Sequence, residues 1–410
     1  MSEETELIPD LFRKEFAKMI AVISKLYGLQ HIAIAEDIVS ETFLTATEFW
    51  TEKGIPANPT AWLYAVAKQK TLYHFRRKKI FDEKIIPQIK LSADTIAETR
   101  EMDFSTENIK DSQLEMMFAI CDPAIASEAQ IALALRVLCG FGIEEIAEAF
   151  YSNKETINKR LFRAKEKLRA EKVQLEMPPE NEIDTRLDNV LHIIYLLFNE
   201  GYYSTTQNKT LRKDFCMEAL RLGLMLTEYS KTNLPKTNAL IALMSFHASR
   251  LDARQNADND FILYDEQDEN LWDQNLIEQG IHFLNLSARG DRLSSYHLEA
   301  GIAFWNCRKE ETKEKRESIL RHYNLLLQIN YSPAVALNRL YALYKARGKE
   351  VALAEAEKIN LPNNHFYCTL LGELYEGIDN ERAKANFEKA LSIAKTETER
   401  HIIKLKMKNL

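Results

Sequence analysis

Apolar residues return at intervals of three and four along most of this chain, and few residues interrupt the pattern. Only 12 glycines and 10 prolines punctuate the 410 positions, so long helices can run between breaks. Alternating Val/Ile/Thr runs with flanking turn signals, which a sheet would need, are missing from it. The expectation is an all-α protein. A chain this long outgrows one hydrophobic core, so two or three domains are expected. With 46% apolar and 28% charged residues the balance is that of a soluble globular protein.

The opening MSEETELIPD is acidic and has no apolar core, so it does not read as a signal peptide. The best membrane candidate, IALALRVLCGFGI, carries Arg136 in its middle. No membrane association is expected. Five cysteines (Cys121, Cys139, Cys216, Cys307, Cys368) are scattered without CxxC spacing. They read as reduced core residues of a cytosolic protein, not as metal ligands. No cofactor is implied. The net charge of −7 argues against a protein that simply coats nucleic acid, yet the charge is uneven. Six basic and no acidic residues lie between Lys68 and Lys79, and eight basic against three acidic between Lys154 and Lys172.

Four blocks follow from these patterns. Residues 10–80 are helical and end in the first basic cluster. Residues 81–111 read as a polar linker with short helical pieces. Residues 112–175 hold the second basic cluster, after which Pro178 and Pro179 break the periodicity. Residues 185–410 run helix after helix. Ala383, Phe387 and Ala390 give a small–aromatic–small face, and the segment from Ser332 reads as a helix pair turning at Gly348. A TPR-like or solenoid array is expected there.

Within IEEIAEAFYSNKETINKRLFRAKEKLR, residues Ile143, Ile146, Ala147 and Phe150 define one short amphipathic helix. Ser152 with Glu155 forms a capping-box pattern, so a second helix is expected just after Ser152. Its inner face is Ile157, Leu161, Ala164 and Leu168; its outer face is Lys154, Asn158, Lys159, Phe162, Arg163 and Glu166. This fits a DNA-binding helix-turn-helix, although Tyr151 stands where many such turns carry glycine. A solvated basic helix pair has the same spacing, and periodicity alone leaves both open.

The segment EEIAEAF…ETINKRLFRAKEKLR and the preceding FAICDPAIASEAQIALALRVLCGF resemble the last region of extracytoplasmic-function sigma factors of bacterial RNA polymerase. AEDIVSETFLTATEFW, from Ala35, resembles the helix by which such factors dock on the polymerase clamp. NPTAWLYAVAKQKTLYHFRRKK, from Asn58, resembles the region that melts and reads the minus-ten element. The motifs occur in the family's order. VLHIIYLLFNEGYYST and LYDEQDENLWDQNLIEQG resemble the branch of these factors fused to a TPR-like C-terminal domain.

The resemblance implies roles. Asp37, Ser40 and Glu41 would face a basic coiled-coil surface of the polymerase clamp, with Ser40 departing from the family's usual glutamine. Asn58 and Pro59 read as an N-cap and first-turn proline. The helix they begin carries Trp62, Lys68, Lys70, Tyr73, Arg76 and Arg77 toward the minus-ten element. Rings that stack on bases beside cations that follow phosphates suit a single strand. Trp62 also reads as core, and Gln69 and Tyr73 depart from the family's asparagine and aspartate. The loop from Lys53 to Ala57 is where the family captures a flipped base. Lys154, Asn158, Lys159, Phe162 and Arg163 would face the minus-thirty-five element; Arg160 and Lys165 suit backbone, with an intradomain salt bridge open to Arg160.

The implied partners are core RNA polymerase, through its beta-prime clamp and beta flap, promoter DNA, and a signalling protein or ligand at a regulatory C-terminal domain. No catalytic residues are expected. Asn199, Glu200 and Tyr202 in FNEGYYS lack a nucleophile–base pair and suit a hydrogen-bonded helix end, and Asp268 suits a helix N-terminus. Two other classes share parts of the pattern: a stand-alone helix-turn-helix regulator with a TPR-like sensor, and a TPR scaffold.

Overall fold

The computed structural model describes residues 3–85, 102–150, 152–202, 212–256, 262–359, 361–394 and 397–407. Among them every regular element is helical, as the periodicity requires, and the backbone divides into two compact units at Leu197/Phe198.

The first unit begins with α1 (Glu3–Tyr27), α2 (Ile32–Lys53) and α3 (Pro59–Ile85). The Asn58 cap forms, its Oδ1 accepting the Ala61 N–H at 3.0 Å. Residues 86–101, most of the expected linker, lie outside the described residues. Its last part does not behave as linker: α4 (Thr106–Ile120) starts inside it, capped by Ser105. Then come α5 (Ser127–Leu133), a π-helical turn (Ala134–Leu138), α6 (Ile143–Ala149), α7 (Lys154–Ala170) and α8 (Glu180–Tyr202). Helix α8 starts directly after the proline pair and crosses the division between the units.

The two sequence blocks 10–80 and 112–175 pack together in this first unit. The reason lies in α1, where Glu15, Phe16, Ala17 and all of Met19–Ser24 are buried. Six consecutive buried residues span more than a full turn, so this part of the helix needs cover on more than one side. Helices α2 and α3 cover part of it; α4 and the π-helical turn cover the rest.

The second unit holds α9 (Lys213–Thr227), α10 (Pro235–Ala248), α11 (Gln274–Ser287), α12 (Ser295–Trp305), α13 (Lys313–Ile329), α14 (Pro333–Arg347), α15 (Lys349–Ala356), α16 (His365–Tyr375), α17 (Asn380–Ile393) and α18 (Glu397–Met407). Successive helices pack on their neighbours, α10 on α11, α13 on α14 and α16 on α17 among them. Gly348, at φ +93°, makes the turn between α14 and α15. Ala383, Phe387 and Ala390 are all buried. A Cβ on Gly372 would lie 2.8 Å from the Phe387 ring, so only glycine lets α17 seat that ring against α16.

Candidate nucleic-acid interface

Two separate faces of the first unit carry the charged residues singled out in the sequence. On the first, α2 and α3 flank a groove of about 420 Å³. Asp37 and Glu41 line it from α2; Lys70, Tyr73, His74 and Arg77 line it from α3. The acidic residues expected to dock on polymerase and part of the minus-ten set therefore share one depression. Lys70 Nζ lies 3.6 Å from Glu41, a loose pair that leaves the Glu41 side chain 64% exposed. Tyr73 is 67% exposed, so its ring is open to solvent at the groove. Arg76 is exposed outside the groove, and Ser40 and Lys68 are half-buried.

Trp62 is half-buried rather than free. Its ring stacks on Phe49 at 5.6 Å and meets Trp50 edge-on at 5.4 Å. It closes an aromatic cluster between α2 and α3, and Phe49 presents the outer ring, 43% exposed. Phe49 was not legible as a surface group, because spacing alone places it beside the buried Trp50.

The second face is α7. Ile157, Leu161, Ala164 and Leu168 are buried as the spacing requires. The cap differs from expectation by one residue: Asn153, not Ser152, accepts the Thr156 N–H at 2.8 Å, and the helix starts at Lys154. Displaced from the box position, Glu155 takes the Lys159 ammonium at 2.6 Å instead. Tyr151, at the turn, lies outside the described residues. Lys154 pairs with Glu144 at 2.6 Å across the turn, tying α6 to α7. Asn158, Lys159, Phe162 and Arg163 are exposed in one band, and the Phe162 ring is 65% exposed. Arg160 belongs to the scaffold, 3.2 Å from Glu128 and stacked over the Phe150 ring. Lys165 also turns inward, donating to the buried Glu36 of α2.

In the second unit, FNEGYYS forms the end of α8 up to Tyr202, with Tyr203 and Ser204 outside the described residues. Tyr202 is buried, its hydroxyl 3.1 Å from His247 Nδ1 and its ring 3.8 Å from the Arg254 guanidinium. Gly201 carbonyl accepts the Arg212 N–H at 3.0 Å. Asp268 accepts the Asn270 N–H at 2.9 Å, capping a single 3-10 turn. All five cysteines are free thiols and four are buried; burial pushes Cys121 and Cys216 up to about 12. A separate cavity of about 150 Å³ is lined by Tyr264, Glu311, Arg316, Tyr323, Tyr341 and Lys345, among others.

Burial first, then the charges of Arg250 and Arg254, hold His247 well below its ordinary range. The folded state therefore keeps the ring neutral while the unfolded chain protonates it near 6.5. The unfolded state binds the extra proton, so stability falls as pH drops below that value toward the folded pKa. A melt of the second unit should lose several degrees between about pH 7 and pH 5, and H247Q should flatten that slope.

Residues 11–80 match the family Sigma-70 region 2. The chain carries a sigma-70 region 2. Residues 186–288 match a family of unknown function, DUF6596. An uncharacterized protein of Rhizobium meliloti (strain 1021) is 30% identical over 402 residues, covering 96% of this chain and 94% of the relative. The two belong to one family. No solved structure matches the chain. The sigma-70 region covers the α2–α3 groove, and the DUF6596 match begins within α8 and ends just past α11, at Ala288. Among the described residues no helix is long and apolar enough to cross a membrane.

Proposed function

We propose that the chain is a sigma factor of the extracytoplasmic-function type, which binds core RNA polymerase and directs it to promoters. The observation that carries this is the α2–α3 groove inside a sigma-70 region 2, where Asp37 and Glu41 stand opposite Lys70, Tyr73 and Arg77. Asp37 and Glu41 meet a basic clamp surface. Tyr73 stacks on an unpaired base while Lys68, Lys70, Arg76 and Arg77 follow the backbone. Helix α7 acts as the recognition helix of a helix-turn-helix, and Asn158, Lys159, Phe162 and Arg163 face the minus-thirty-five element. Phe162 suits apolar contact with a thymine methyl. The protein lends specificity and performs no catalysis itself; its place of action is the cytoplasm.

The second unit is read as a TPR-like regulatory domain that receives a protein or small-molecule signal. Its tyrosine-lined cavity offers a place for one: burial and surrounding carboxylates push Tyr341 up to about 12, so its hydroxyl stays a hydrogen-bond donor. Removing the residues after Leu197, where the second unit begins, should change promoter output.

Free DNA binding should be weak. Affinity for duplex rests on neutralised phosphates, and α7 commits Arg160 and Lys165 to carboxylates of the chain itself. In a mobility-shift titration the chain alone should not discriminate promoter from random DNA, whereas chain plus core polymerase should. Tight, promoter-specific binding without polymerase would instead favour a stand-alone regulator.

A further inference from the structure

The tyrosine-lined cavity of the second unit lies among three helices and one short turn. Helix α12 supplies Ile302, α13 supplies Ile319 and Tyr323, and α14 supplies Tyr341, Ala342 and Lys345. A 3-10 turn (Tyr264–Glu266) adds Tyr264 and Asp265. Some of the polar groups here are committed to the fold. Lys315, only 2% exposed, lies 2.7 Å from Glu311 Oε1 and donates to Arg308 O at 2.7 Å and to the Tyr264 hydroxyl at 3.2 Å. Arg316 Nε lies 3.2 Å from the other Glu311 oxygen, and Tyr264 donates to Arg308 O at 3.1 Å. Both oxygens of Glu311 and the hydroxyl of Tyr264 are thereby occupied.

Other groups on the wall are left over. Among the described residues, neither the Tyr323 nor the Tyr341 hydroxyl has a protein acceptor, and neither Asp265 nor Lys345 has an ion-pair partner. Burial above all pushes both hydroxyls up to about 12, so both stay donors. Tyr341 is a neighbour of both charges: Lys345 Nζ lies 5.9 Å from its ring centroid, and the Asp265 carboxylate acts on its hydroxyl after burial and Glu373. Opposite charges that share a small cavity without pairing with each other suit a ligand that carries both signs. Ile302, Ile319 and Ala342 make the rest of the wall apolar. A cavity of about 150 Å³ takes one benzene-sized group.

We propose that this cavity binds a free aromatic α-amino acid, with Asp265 taking its ammonium group and Lys345 its carboxylate. The inference rests on the reading of the second unit as the receiver of a signal, and names the class of that signal. The aromatic side chain fills the apolar part against Ile302, Ile319 and Ala342, beside the rings of Tyr323 and Tyr341. The two free hydroxyls donate to the ligand carboxylate, whose oxygens can accept several hydrogen bonds. A ligand with a single charge leaves either Asp265 or Lys345 unanswered, so the site separates a zwitterion from its singly charged analogues. The interior of a peptide has neither charge to offer at its main chain.

The test is calorimetric titration of the full chain with L-phenylalanine, and with phenethylamine and hydrocinnamate, which each lack one of its charges. L-Phenylalanine should bind one-to-one, and each analogue at least about tenfold more weakly. D265N should bind the amino acid no better than hydrocinnamate, and K345M no better than phenethylamine. Both residues are exposed and unpaired among the described residues, so each variant should keep the parental melting temperature. Such a loss of discrimination is a readout that a merely structural role would not move. No binding of L-phenylalanine at millimolar concentration, an analogue that binds as tightly, or folded variants with parental discrimination would each overturn the site. So would tighter binding of an N-acetylated peptide ending in phenylalanine, because the cavity would then receive a protein terminus. If L-phenylalanine binds but promoter output with core polymerase is the same with and without it, the site stands and the signal-receiving role falls. If the chain supports no transcription at all, the proposed function fails, and titration of the free chain still decides the site.

Discussion

Replacing Lys159 and Arg163 together by alanine is expected to lower promoter-specific transcription about 30-fold or more while leaving the melting temperature unchanged. An Arg or Lys contact to a base is worth about 1–3 kcal/mol, so losing two removes about 2–6 kcal/mol of promoter affinity, the lower end being about 30-fold. Neither side chain holds the fold. Arg163 is exposed, and the Lys159–Glu155 pair is 64% and 76% exposed, where an ion pair contributes little. Arg160 and Leu161 between them behave differently: Arg160 bridges to Glu128, and Leu161 is core. Alanine at Leu161 should unfold the helix pair, so a loss of activity there carries no information about DNA. Parallel measurement of polymerase binding separates the recognition face from the docking face, because the double variant should still form the complex. A double variant that transcribes as well as the parent would remove α7 from promoter recognition.

Reversing Asp37 and Glu41 to lysine should reduce binding to core polymerase by more than about 100-fold. Charge complementarity governs such surfaces, and like charges juxtaposed across an interface cost several kcal/mol. Both residues line the α2–α3 groove and are exposed, so their reversal should not unfold α2. Glu36, one position earlier, gives the contrast. It is buried between two cations, so its removal is expected to lower the melting temperature rather than to reverse charge on the docking surface. A loss of polymerase binding with the melting temperature unchanged therefore separates D37K/E41K from general destabilisation. Parental affinity in D37K/E41K would show that polymerase docks elsewhere.

Much of this was legible in the residues because local rules decided it. Asn58 followed by proline marked the start of α3. The spacing of Ile157, Leu161, Ala164 and Leu168 set which side of α7 faces inward. Where two polar residues stood side by side, the capping-box pattern pointed to Ser152, and Asn153 took the cap instead, one position later. The start of α4 was hidden by its polar first turn, TENIKDS, which carries little apolar period. Longer-range facts were less accessible. The run FAKMIAVIS, whose only charge is Lys18, is almost continuously apolar, but its spacing does not say what covers it. Glu36 in AEDIVSE looks like one more solvated acid, and Arg136 looks like a charge stranded in an apolar run. Only tertiary placement brings them within 3.4 Å and gives each its reason. The inward turn of Lys165 and the outward ring of Phe49 are of the same kind.

The most direct test of the central claim is run-off transcription of genomic DNA by bacterial core polymerase, with the 5′ ends of all transcripts sequenced with and without the purified chain. The account predicts new, discrete start sites that appear only with the chain, share two upstream elements, and disappear with K159A/R163A. A map of 5′ ends identical with and without it, using a polymerase shown to respond to another sigma factor, would contradict the account.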